Sequence, residues 1–106
     1  MRIAEVYVNG VFAGLLSEEE GGGYRFVYDE DYVRAGNVLP VCLAMPVREE
    51  PYESDILFPF FSNLLSEGGN REWQERLHHL SHDDDFGLLM ATASYDTIGN
   101  VTIRAR

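Results

Sequence analysis

An α+β domain is predicted by three observations. Strand-type alternation fills the first third of the chain, helical spacing of apolar residues fills much of the second half, and one β-rich segment closes it. The expected architecture is a small antiparallel β-meander or barrel-like sheet packed with two or three short helices. A length of 106 residues calls for a single domain spanning 1–106.

Residues 3–8 alternate and are rich in β-branched and aromatic side chains, which predicts a strand. Asn9-Gly10 then supplies the two central residues of a type I′ hairpin turn. Residues 11–16 read as the returning strand, with Gly14 marking a bulge or a close backbone contact. An acidic, glycine-rich loop covers 17–23. Tyr24, Phe26 and Tyr28 alternate with Arg25 and Val27, a third strand with an aromatic face. Residues 29–35 form a short helical turn ended by Gly36-Asn37. Residues 38–45 read as a buried strand stopped by Pro46, and 47–55 as a proline-bearing acidic loop.

The densest apolar block follows. Three phenylalanines and three leucines fall between Leu57 and Leu65, so this block must be buried in the core or in a partner. Proline is tolerated in the first turn of a helix, which places a helix from Phe58 or Pro59 to Leu65. Phe61 and Leu65 share one face, Phe60 and Leu64 the adjoining one. Gly68-Gly69 stops this helix, and Asn70 caps a second in which Trp73, Leu77 and Leu80 share a face. Asp83 caps a third over 86–93, the chain turns at 95–100, and Val101, Thr102 and Ile103 give the last strand.

Charge excludes several function classes. Eight basic against eighteen acidic residues leave a net charge of −10, and every base is an arginine. Such a surface repels phosphate backbones and anionic lipids, so no direct nucleic-acid or membrane binding is expected. The missing lysine removes Schiff-base chemistry and the phosphate-gripping lysine of a P-loop, so Gly21-Gly22-Gly23 is read as a plain loop. No apolar run approaches the ~20 residues of a membrane span. Without a signal-peptide segment either, a cytoplasmic location is expected. Cys42, the sole cysteine, lies between Val41 and Leu43 and reads as a small buried hydrophobe.

Candidate chemistry is sparse. His78 and His82 stand at a spacing that can share one ion, next to Asp83-Asp84-Asp85. The glutamate of a His-Glu-x-x-His site is missing, and histidines at a helix C-terminus are favoured by its dipole. No metal, cofactor or catalytic residue is therefore assigned. Ser62 and Ser66 lack the setting of a serine nucleophile. Trp73 is either a core residue over the Phe60-Phe61 helix or an anchor for a partner, tryptophan being enriched at binding hot spots.

The motifs, taken in order, resemble a family. They are Val6-Tyr7-Val8-Asn9-Gly10 with Gly14-Leu15-Leu16, Phe26-Val27-Tyr28, Cys42-Leu43-Ala44-Met45-Pro46, the block from Phe60 to Gly68, the acid-led Leu88-Leu89 segment, and Gly99-Asn100-Val101. This series is similar to the N-terminal subdomain of HipA-type serine/threonine kinase toxins. Two positions depart: Ser66 stands where the pattern has proline and Asn100 where it has alanine. A free-standing version of the subdomain resembles the HipS group, small subunits of tripartite HipB–HipS–HipT systems. That resemblance implies a non-catalytic antitoxin that binds and inhibits a HipT-like kinase, with a HipB-like helix-turn-helix protein in the same complex. The implied contact residues are Phe60, Phe61, Asn63, Leu64, Leu65, Ser66, Glu67, Gly68, Arg71 and Trp73. The alternative is a structural, dimerising N-terminal piece of a full-length HipA kinase.

Overall fold

The computed structural model describes residues 2–64, 76, 84–92 and 100–106. Five strands form one antiparallel sheet: β1 (Arg2–Val8), β2 (Val11–Glu18), β3 (Tyr24–Tyr28), β4 (Tyr52–Ser54) and β5 (Val101–Ala105). Their order across the sheet is β4-β3-β2-β1-β5. Among the described residues the short helices beside it are α1 (Glu30–Ala35), α2 (Pro59–Ser62) and α3 (Asp85–Thr92). The expected α+β class and its N-terminal meander are present.

The hairpin forms as its turn chemistry requires. Asn9 and Gly10 both hold positive φ, 52° and 79°, the backbone of a type I′ turn. The β1–β2 register slips between Val6 and Tyr7, whose partners are Gly14 and Phe12. Ala13 is thus the extra residue of a bulge, and both Ala13 and Gly14 are buried. Gly14 is also a close approach: a Cβ there would lie 2.3 Å from the Val27 carbonyl oxygen.

One face of the sheet makes the core. Ala4, Val6, Val8, Leu16, Phe26, Tyr28, Val101 and Ile103 point inward and meet Phe61, Phe86 and Leu89 from the helices. Burying each of the large apolar side chains fully is worth about 1.5–3 kcal/mol relative to exposure. The opposite face carries half-buried Ile3, Tyr7, Phe12, Leu15 and Val27, with Tyr7 edge-on to Phe12 at 5.7 Å.

Three expectations are corrected. Residues 38–45 form no strand; they are loop and turn, with Val41 and Met45 buried and Leu43 96% exposed. The inward pull comes from side chains, not from a ladder. The Tyr28 hydroxyl accepts from the Val41 N–H at 2.9 Å and donates to the Met45 carbonyl. The Tyr32 hydroxyl donates to the Leu39 carbonyl at 2.6 Å, and Tyr52 donates to that of Pro46 at 2.6 Å. Backbone groups satisfied this way need no strand partner. Second, the 47–55 segment is not all loop, because Tyr52–Ser54 pairs with β3 as the edge strand β4. Third, α2 is shorter than the expected helix, ending at Ser62 with Asn63 as its C-cap. The expected helix over Trp73, Leu77 and Leu80, and the caps at Asn70 and Asp83, lie outside the described residues.

Candidate partner-binding surface

The apolar block turns inward. Phe58 caps α2 in extended backbone and Pro59 occupies its first turn, where the missing N–H costs nothing. This single turn drives Phe61 into the core, fully buried, with its ring 5.9 Å from Phe26, 6.2 Å from Phe58 and 5.4 Å from Phe60. Leu57 and Phe58 are buried beside it. Phe60 and Leu64 are half-buried against the same cluster, and Asn63 is exposed. Of the ten residues expected at an interface, the described ones thus divide between core support and surface. Phe61 can shape an interface only by holding α2 in place. Leu65, Ser66, Glu67, Gly68, Arg71 and Trp73 lie outside the described residues.

Sequence reasoning missed the ion cluster that joins α3 to the sheet. Arg2 sends Nε and Nη2 to the two oxygens of Glu18, both at 2.9 Å. Its Nη1 and Nη2 reach the two oxygens of Asp84 at 3.0 and 2.7 Å. Asp84 also accepts the Gly87 backbone N–H at 3.2 Å, which ties it to the first turn of α3. The guanidinium stands 5.3 Å from the centre of the Phe86 ring. Hydrogen bonding from Arg2 holds the Asp84 carboxyl below the ordinary aspartate range, against the opposing effect of partial burial. No signal in linear spacing marks this contact, because Arg2 and Asp84 are 82 residues apart. Gly87 is part of the arrangement: a Cβ there would sit 2.3 Å from Asp84 Oδ2 and 2.9 Å from Arg2 Nη1.

The sheet has oppositely charged edges. Beside β4, the Gly-rich loop and the strand enclose a depression of about 410 Å³ lined by Glu19, Gly22, Gly23, Tyr24, Glu53, Ser54 and Asp55. At the other edge, the exposed charges are Arg104 in β5 and Arg106 just beyond it. Exposed apolar side chains that the sequence did not single out are Leu43, Ile56 at 68%, Val11 at 56% and Leu39 at 54%. Among the described residues no group of histidine, cysteine, aspartate and glutamate is arranged to hold a metal; His78, His82 and Asp83 are outside them. Cys42 is half-buried. No helix among the described residues is long and apolar enough to cross a membrane.

The family model for the HipA N-terminal domain matches residues 4–104. This chain belongs to the HipA N-terminal domain family. Its fold superposes on a solved N-terminal domain of HipA toxin with a TM-score of 0.77 and 29% identity, covering 100% of this chain and 93% of that one. An uncharacterized protein of Haemophilus influenzae is 31% identical over 104 residues, 98% of this chain and 92% of that protein. The putative kinase Y4mE of Sinorhizobium fredii is 30% identical over 89 residues, which span 84% of this chain and only 21% of the kinase. The chain is therefore related to HipA-type kinases through their N-terminal domain and not through the catalytic part.

Proposed function

We propose that this chain is a non-catalytic antitoxin. In this reading it binds a HipT-like serine/threonine kinase and holds it inactive, within a complex that also contains a HipB-like helix-turn-helix protein. The observation that carries the reading is the family match over residues 4–104, with no kinase body in the matched region. A Haemophilus relative of nearly equal length supports a domain that acts as a separate chain. The net charge of −10 supports a division of labour in which another subunit meets DNA.

The contact surface in this reading starts at the exposed end of α2, Asn63 with Phe60 and Leu64. Leu65, Ser66, Glu67, Gly68, Arg71 and Trp73 are its further residues in this reading. Phe61 supports it from the core. Complementing a divided kinase buries a large and partly apolar interface, as between two halves of one domain. Trp73 serves as the anchor and obstructs the kinase cleft.

The test is co-expression with the HipA-type kinase encoded beside this chain, scoring growth and co-purification together. Rescue of growth with a stable complex is expected. Toxicity that persists, or two proteins that never co-purify, overturns the reading. Nucleotide hydrolysis by the isolated chain would do the same.

A second reading is favoured by the Y4mE match, in which the aligned part makes up 21% of the kinase. Here the domain is the N-terminal structural and dimerising piece of a full-length HipA kinase. A single reading frame running on into a kinase would establish this second reading.

A further inference from the structure

We infer that the end of the sheet where β5 finishes and β1 begins is a seat for the kinase chain. The inference rests on the antitoxin reading and names the face that docks, apart from the α2 surface. A groove of about 330 Å³ opens there, lined by Arg2, Ile3, Met90, Ala105 and Arg106. Its apolar lining is Ile3, on the outer face of β1, with Ala105 and with Met90 of α3. Arg106 is its exposed basic residue, and Arg104, just outside the lining, is exposed as well. Arg106 stays 52% exposed at 4.0 Å from Glu5, a contact too long to consume its charge. Arg104 stands 5.2 Å from the Tyr7 ring centre, which orients its guanidinium over the outer sheet face.

Two observations select the occupant. The first is chain direction. The family domain is by description N-terminal and ends its match at residue 104, inside β5. In a longer protein that carries this domain at its N-terminus, the following chain leaves from the β5 end. A kinase body that follows in the same chain starts near this end, and the inference places a separate kinase chain there too. The second is charge. Arg104 in β5 and Arg106 just after it are exposed cations on a molecule with net charge −10, while Glu53 and Asp55 lie at the β4 edge. A partner meeting β5 is expected to bring carboxylates to the two arginines and an apolar side chain to the groove beside Met90 and Ala105.

The ladder adds a backbone contribution. The Arg106 N–H bonds the Ile3 carbonyl and the Asn9 N–H bonds that of Asn100, so the paired positions of β5 are even-numbered. In an antiparallel pair the alternate residues point the other way, which turns the N–H groups of Ile103 and Ala105 off the sheet edge.

The experiment uses the full chain and the kinase encoded beside it. Affinity is measured for wild type, Arg104→Glu/Arg106→Glu, Ala105→Glu, and Glu53→Arg as an acidic-edge control. Each β5 variant is expected to bind at least tenfold more weakly, while the control binds as wild type. Unchanged affinity in both β5 variants overturns this inference and leaves the antitoxin reading standing; a wild type that binds no kinase removes both. Should the β5 variants lose their circular dichroism, hydrogen exchange of the wild-type complex decides. Slowed exchange at Ile103 and Ala105 on kinase binding supports the seat, and unchanged exchange there refutes it.

Discussion

Tyr28 shows how much one hydroxyl can organise. It is buried, it accepts from Val41 and donates to Met45, and its ring stacks on Tyr32 at 6.1 Å. Burial pushes its pKa up to about 12. Tyr28→Phe leaves a backbone N–H and a carbonyl without this partner. It should cost about 1–3 kcal/mol in urea unfolding while keeping far-ultraviolet dichroism. Because the folded pKa is raised, the tyrosine's contribution is complete below pH 10 and is lost as pH climbs through the folded value. Wild type should therefore weaken above pH 10 in a way that the phenylalanine variant does not. Asp84 has the opposite sign. Its folded pKa is lowered by Arg2, so its contribution is complete above the ordinary aspartate value of 3.8 and fades as pH falls below it. Asp84→Asn should lose about 1–2 kcal/mol at neutral pH, the side chains being partly exposed, and show a flatter acid limb in pH-dependent unfolding.

Individual elements are held by close contacts as much as by pattern. The bulge of β2 brings Gly14 against β3 with no room for a methyl group. Gly14→Ala should destabilise the domain by about 1–3 kcal/mol, read as a lowered melting temperature, since the obstacle is backbone and cannot rotate away. In α2 the aromatic density was legible from residues 57–65, but its direction was not. A shared helical face tells which residues stand together, not whether they meet a core or a partner. Phe61 went inward because Phe26 and Phe58 surround it. The interface candidates that remain on the surface or outside the described residues are therefore best probed at Trp73. If it is an anchor, Trp73→Ala should weaken kinase binding by about 2 kcal/mol or more in titration calorimetry. Unchanged affinity would assign it to the fold instead.

Across the whole molecule, the sheet separates two roles. Its inner face and helices make the core, and its edges differ in charge, acidic at β4 and basic at β5. This polarity suits a subunit that must be oriented against a single partner, since opposite charges on opposite edges oppose a reversed docking. The first three strands, the Asn9-Gly10 turn, the short helix after Asp29 and the closing strand could all be read from the chain alone. In each, the deciding forces act between residues a few positions apart: side-chain alternation, turn conformation, helix stops. The family motifs are local in the same sense. The state of residues 38–45, the pairing of β4 and the grip of Arg2 on Asp84 needed the folded chain. There the deciding partners are remote in sequence, and a hydroxyl or guanidinium arriving from another element settles what local preference leaves open.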